Sequence, residues 1–288
     1  TTVYDALRAG TFDPNDLSAR YAVKLLEAVG IAQKRGHLRA EHFIHVRCEM
    51  PCPDTTEATE MIAAAGRIDL FSIMDHTPGA RQFVSLDKFK EYYLGRNLIV
   101  PERIDAYIAE RREMQAKFAA ANKRAVLSLA RQLNIRLASH DDATADHVHE
   151  AVADGVAIAE FPTTREAAEA AHANGLAVLM GAPNFVRGGS HSGNISASEI
   201  AAAGTLDVLS SDYVPTSLLS AVFSMPERIE GYTLPDAIRL VTCNPAKAAG
   251  LADRGEIAIG KRADLVQIAD SEHHPVVRRV WREGVRVM

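Results

Sequence analysis

Histidines, carboxylates and arginines recur in this chain in short runs, each at the end of a β-branched or apolar stretch. The first is His45-Val46-Arg47-Cys48-Glu49. Side chains alternate along an extended strand, so His45, Arg47 and Glu49 share one face. Then come Asp75-His76-Thr77-Pro78-Gly79-Ala80-Arg81, Ser139-His140-Asp141-Asp142, Ala159-Glu160-Phe161-Pro162 and Ser210-Ser211-Asp212-Tyr213. Imidazole and carboxylate groups brought together suit a divalent metal ion, and such a mixed donor set fits zinc, manganese or iron about equally well. A bound ion makes hydroxide available near neutral pH. Asp212, closing the last run, would then take a proton from the attacking water and return it to the leaving group. Each residue alone has a plainer reading. A strand-end His is often a hydrogen-bonded loop residue, Asp142 can cap a helix, and Arg47 and Glu49 can pair across a pleat. Their joint placement at successive strand ends is what points to a metal centre.

A second group lies in Gly181-Ala182-Pro183-Asn184-Phe185-Val186-Arg187-Gly188-Gly189-Ser190-His191-Ser192-Gly193-Asn194. Glycines let a backbone approach a ligand closely and turn its N–H groups inward. Arg187, Ser190, His191, Ser192 and Asn194 add donors suited to phosphate oxygens. A helix starting near Ser196 would present its positive end to the same anion. The string therefore reads as an anion-binding loop, against the plainer reading of a surface loop. His76 and Arg81 lie close enough to a strand end to reach a ligand. Lys88 and Lys90 belong instead to the solvated face of an amphipathic helix, and Thr163 reads as a helix cap.

The elements that must carry these groups alternate. Strands are expected at Thr2–Ala6, Phe43–Met50, Asp69–Asp75, Ile135–His140, Val156–Phe161, Ala177–Gly181 and Leu206–Ser211. Helical periods fill Leu17–Lys34, Thr55–Ala65, Pro101–Leu133, Ala145–Ala153, Thr164–Ala173, Ala197–Ala203 and Pro215–Met225. This is the pattern of a parallel (β/α)8-type barrel with seven of its eight strands. A helix over Leu234–Ala248 follows, then three short strands, Arg262–Ile268, Val276–Val280 and Val285–Met288, with a hairpin signal at Glu283-Gly284. Residues 1–250 are expected to form the barrel and 251–288 an incomplete β-sandwich portion. The chain opens inside a strand, so a preceding strand is expected to be missing, and with it some activity.

The chain has 288 residues, 47% of them hydrophobic, enough for one large domain or a barrel with a small appendage. A formal charge of −5 with no long basic run argues against nucleic-acid binding. No apolar run approaches the roughly 20 residues that cross a bilayer. Three cysteines without a CxxC pair suggest a reducing compartment, so the expected location is the cytoplasm. Nothing in the pattern opposes a homo-oligomer.

The phrases HVRCEM (45–50), MDHTPGARQF (74–83), ASHDDAT (138–144), AEFPTT (159–164), MGAPNFVRGGSHSGN (180–194) and LSSDY (209–213) resemble a specific family. They are similar to the ribose 5-triphosphate diphosphatases of the carbon–phosphorus lyase pathway, a branch of the amidohydrolase superfamily. Asn244-Pro245-Ala246 and Gly260-Lys261-Arg262-Ala263-Asp264-Leu265 are generic to that superfamily. The resemblance implies a barrel plus β-sandwich, a divalent metal, and hydrolysis of alpha-D-ribose 1-methylphosphonate 5-triphosphate to the 5-phosphate with release of pyrophosphate. It implies Glu49, His140 and Glu160 as metal ligands and Asp212 as general acid/base, with His45 and His76 supporting the ligands or facing phosphate. It also implies that two ligands of a first-strand motif have no counterpart here. The competing expectations are a cyclic amide hydrolase or deaminase, and a non-catalytic subunit of a phosphonate-degrading assembly.

Overall fold

A computed structural model describes residues 1–13, 15–83, 85–189, 193–271 and 274–288. The chain divides into two compact units: residues 4–37 and 42–156, and residues 1–3, 38–41 and 157–288.

The first unit holds β1 (Thr2–Ala9) and β2 (Glu41–Glu49), apart from their opening residues, with α1 (Ser18–Lys34) between them. It continues with α2 (Thr55–Ala65) and β3 (Leu70–Met74). All five residues of β3 are buried, as a parallel strand covered on both faces requires. β2 and β3 pair in parallel from His45↔Leu70 to Glu49↔Met74. Phe43, Ile44, Val46 and Cys48 of β2 are buried, as are Ala58 and Ile62 of α2.

Residues 75–135 then make a long crossover. It contains α3 (Leu86–Gly95), a 3-10 turn (Pro101–Arg103), α4 (Ile104–Met114), a π turn (Gln115–Ala119) and α5 (Ala120–Leu133). Phe83, Phe89, Ile104 and Ile108 give it a small core of its own, with Phe89 stacked on Tyr93 at 4.2 Å. The helical stretch expected over Pro101–Leu133 thus runs as two α-helices joined by a π turn, which contains no helix breaker and so leaves no mark in the sequence. Lys88 is exposed on α3 and Lys90 pairs with exposed Asp105 at 2.7 Å, as a solvated helix face predicts. After the crossover, β4 (Arg136–His140) pairs in parallel with β3, and α6 (Ala145–Asp154) follows.

In the second unit, β5 (Ile158–Glu160), β6 (Ala177–Gly181) and β7 (Val208–Ser210) pair in parallel in chain order, with α7 (Arg165–Ala173) joining β5 to β6. Between β6 and β7 lie α8 (Ala182–Arg187) and α9 (Ala197–Ala202). The expected Gly-rich loop therefore begins as a helix. Pro183 sits in the first turn of α8 and Gly188, at φ +85°, ends it. Next are α10 (Ser217–Arg228), α11 (Leu234–Arg239) and α12 (Cys243–Ala248). The one helix expected over Leu234–Ala248 is two, because Pro245 lacks the N–H that a continuous helix would bond there and falls in a first turn instead.

The tail is an antiparallel sheet, β10 (Val285–Arg286), β9 (His274–Arg282) and β8 (Leu265–Ser271), in that order. Glu283 and Gly284 both have positive φ, +53° and +78°, which is the type I′ geometry of a tight hairpin. Arg254 and Arg262 converge on Glu41 within this unit, and Asp264 accepts from Arg262 and from the Glu283 N–H. The cysteines are free; burial pushes the Cys48 thiol up to about 12, which makes it a poor nucleophile. Among the described residues no helix is long and apolar enough to cross a membrane.

Candidate functional site

In the first unit, strand register gathers the chemistry at one end. Glu49 lies opposite Met74 and Ile73 opposite Ser139, so Glu49, the loop after Met74 and His140 reach the same rim. His76 sits there between two carboxylates. Its backbone N–H donates to Glu49 Oε1 at 2.9 Å and its Nδ1 to Glu49 Oε2 at 2.5 Å. Its Nε2 is 3.5 Å from Asp141 Oδ2, and His140 Nε2 is 3.7 Å from the same oxygen. The two imidazoles meet edge to face at 5.4 Å. Arg47 brings Nη2 to 3.5 Å from His140 Nε2.

Burial alone would raise the Glu49 carboxyl, but the charge and hydrogen bonds of His76 outweigh it and hold Glu49 below the usual carboxylate range. Burial alone would lower His76, yet Glu49 and then Asp141 push it up to about 10. A proton and a metal ion are alternatives at that imidazole.

The donor set fits a divalent ion. Asp141 Oδ2 is buried without a hydrogen-bond partner, and the donor atoms of His76, His140 and Asp141 all lie within 4.8 Å of one another. With the two imidazole nitrogens near it, at 3.5 and 3.7 Å, that buried oxygen is poised to accept either an imidazolium or a metal cation. Two imidazole nitrogens and one carboxylate oxygen are the mixed set that zinc, manganese or iron accepts.

Of the residues expected to act here, Glu49, His140, Arg47 and His76 come together, and His76 belongs to the group whose atoms could hold an ion. Asp141 was not singled out by the sequence reading. Its signal is an Asp directly after a strand-ending His, held at φ +56°, a left-handed conformation that Asp tolerates better than most residues. His45 is buried, with Nε2 2.5 Å from Ser72 Oγ. Arg81 directs one guanidinium nitrogen at Asp142 and the other at Glu150 Oε2, 2.8 Å away. Asp142 therefore does not cap α6; Thr144 does, accepting the His147 N–H.

In the second unit, Glu160 ends β5 and is buried. Asp212 is exposed just beyond β7 at φ +46°, and a methyl group on Gly181 would lie 3.1 Å from its Oδ2. The bare Gly181 thus leaves room for that carboxylate against the end of β6. Arg187 stands exposed on the last turn of α8, donating to Tyr213 Oη at 3.0 Å and to the Gly189 carbonyl at 2.7 Å. Asn194 is half-buried, while Ser190, His191 and Ser192 lie outside the described residues. Ser196 caps α9 in a capping box with Glu199, as a helix starting near it predicts. The cap of α7 is Thr164 rather than Thr163.

Parallel strands in β/α order, with histidines and carboxylates at their C-terminal ends, are the ground plan of one hydrolase class, and residues 106–288 match the amidohydrolase family. The chain belongs to that family and is a hydrolase of it. Along its full 288 residues it is 46% identical to the alpha-D-ribose 1-methylphosphonate 5-triphosphate diphosphatase of Escherichia coli (strain K12), 76% of whose length it covers. The imidazolonepropionase of Deinococcus deserti is 38% identical over 23% of this chain and 18% of its own. A solved dihydropyrimidinase from Brevibacillus agri NCHU1002 aligns with TM-score 0.49 at 13% identity, covering all of this chain and 76% of that one.

Proposed function

We propose that this chain hydrolyses alpha-D-ribose 1-methylphosphonate 5-triphosphate to the 5-phosphate and pyrophosphate, as its relative's name describes. The observation that carries the reading is 46% identity along all 288 residues to that diphosphatase. In the first unit, His76, His140 and Asp141 would hold a divalent ion, which when bound supplies a Lewis acid and an acidified water. Glu49 orients His76 by accepting from both its Nδ1 and its backbone N–H, and Arg47, beside His140, is a proposed phosphate donor. In the second unit, Asp212 accepts the proton of the attacking water and returns it to the leaving oxygen. Arg187 and Asn194, with Ser190, His191 and Ser192, are the proposed phosphate donors, and Glu160 a proposed metal donor. Residues 1–250 make up the proposed barrel part and 251–288 the proposed sandwich portion; cytoplasmic action is part of the same reading.

A test needs the protein, a divalent ion and two substrate types. Pyrophosphate release from a ribose 5-triphosphate supports the reading; opening of cyclic amides with no pyrophosphate overturns it. The same assay weighs the loop. Arg187→Ala should lower the specificity constant about 10- to 150-fold, since a charge-assisted contact is worth roughly 1.5–3 kcal/mol. Lys88→Ala, on a solvated face, should change it little. Equal small effects from both would remove Arg187 from phosphate binding.

A further inference from the structure

The long crossover of the first unit does more than connect β3 to β4. Its helix reaches the strand-end loops at two points. At the end of α4, Arg112 Nε donates to the Pro78 carbonyl at 3.3 Å, and three residues on, as the π turn begins, Gln115 Nε2 donates to Asp75 Oδ2. Residues three apart share a helix face, so both hold the same loop, 75–79. A methyl group on Gly79 would lie 2.6 Å from Arg112 Nη2, which shows how closely that guanidinium seats. Beyond the π turn, Asn122 of α5 donates to the carbonyls of Met50 and Cys52, at 2.8 and 2.7 Å, and so holds the loop after Glu49 instead.

The π turn explains how one helix serves two loops. An inserted residue advances the helical phase by about 100°, so side chains before and after it face different neighbours. Without it, Gln115 and Asn122, seven residues apart, would face nearly the same way. Asp75 then passes the constraint on: Oδ2 accepts from Gln115 while Oδ1 accepts the Thr77 N–H at 3.0 Å. His76 lies between those two anchored residues, and its own N–H is taken by Glu49.

We propose that Gln115, set by the π turn, is a positioning residue that fixes the candidate metal donor His76 through Asp75. The inference rests on the metal-binding reading of His76, His140 and Asp141. The bond has a direction: the Gln115 amide donates and the Asp75 carboxylate accepts. Reversing it gives a test that simple loss of packing would not mimic.

The probe is cobalt(II), titrated into the whole protein and followed by its visible absorption, with thermal melting alongside. Gln115→Glu faces one carboxylate with another and should weaken cobalt binding about 10-fold, the low end of what losing a direct outer partner of a metal ligand costs, because Gln115 acts one residue further out. Adding Asp75→Asn should restore affinity to within about threefold, because the amide then at position 75 can donate its N–H to the new carboxylate at position 115 while its oxygen still accepts the Thr77 N–H. Gln115→Glu binding cobalt as the parent does would overturn the proposal. So would a double variant no better than the single one. His76→Ala is the control for the underlying reading: undiminished cobalt affinity there removes His76 from the site and takes the proposal with it.

Discussion

Asp212→Asn should leave a folded, metal-binding protein whose turnover is lower by roughly 100-fold or more, because an amide cannot accept the proton a general base must take. Three features isolate the effect to chemistry. Asp212 is exposed, so the substitution buries no new polar group. Its φ of +46° is a left-handed conformation that asparagine adopts as readily as aspartate. An amide has the same shape as the carboxylate and keeps the same distance from Gly181. Pyrophosphate release measured against time, with circular dichroism as the check on folding, decides it. Near-parental turnover in the Asn variant would make Asp212 a structural residue.

Asp141→Asn should cost divalent affinity roughly 100-fold or more, since loss of an outer partner alone costs 10- to 100-fold and Asp141 offers a donor oxygen itself. Melting with and without a divalent ion reads the effect. An ion at about 100 times its dissociation constant adds roughly 2.7 kcal/mol to stability, a gain the parent should show and the variant should largely lose. Without the ion the variant should melt somewhat lower than the parent, because it loses the attraction between Asp141 and His76, so the ion-dependent gain within each protein is the quantity to compare. Equal stabilisation of parent and variant by the ion would exclude Asp141 from the donors.

Much of the fold was legible because the signals were local. Thr55–Ala65 and Ala177–Gly181 match their expected bounds, since helical and extended periods ended there at residues that stop them. The hairpin at Glu283-Gly284 announced itself through Gly284, the residue best suited to the positive φ of a type I′ turn. What escaped depends on context. α8 hid in a string whose glycines drew attention to ligand binding, although Pro183 and Gly188 were in the places where helices begin and end. The π turn at Gln115–Ala119 is written in no residue preference, and only the fold shows that it separates the loop held by Gln115 from the loop held by Asn122. In the candidate site, Glu49 and His140 were readable from strand alternation and strand ends. Asp141 was not, because two adjacent aspartates follow His140 and only the fold gives Asp142 to Arg81 and Asp141 to the histidines.

The crossover of about sixty residues between β3 and β4 also bears on how such a chain can change over generations. Closing a flexible loop costs free energy that grows only as (3/2)RT times the logarithm of its length, so sixty residues cost roughly 1.6 kcal/mol more than ten. The excursion's own aromatic core recovers part of that difference. Insertions at the exposed stretch 95–98, outside that core, are therefore thermodynamically mild, and this stretch is free to drift in length and surface. The few residues from Arg112 to Asn122 are not, because there a shift of one position would take the hands that hold two strand ends off both of them.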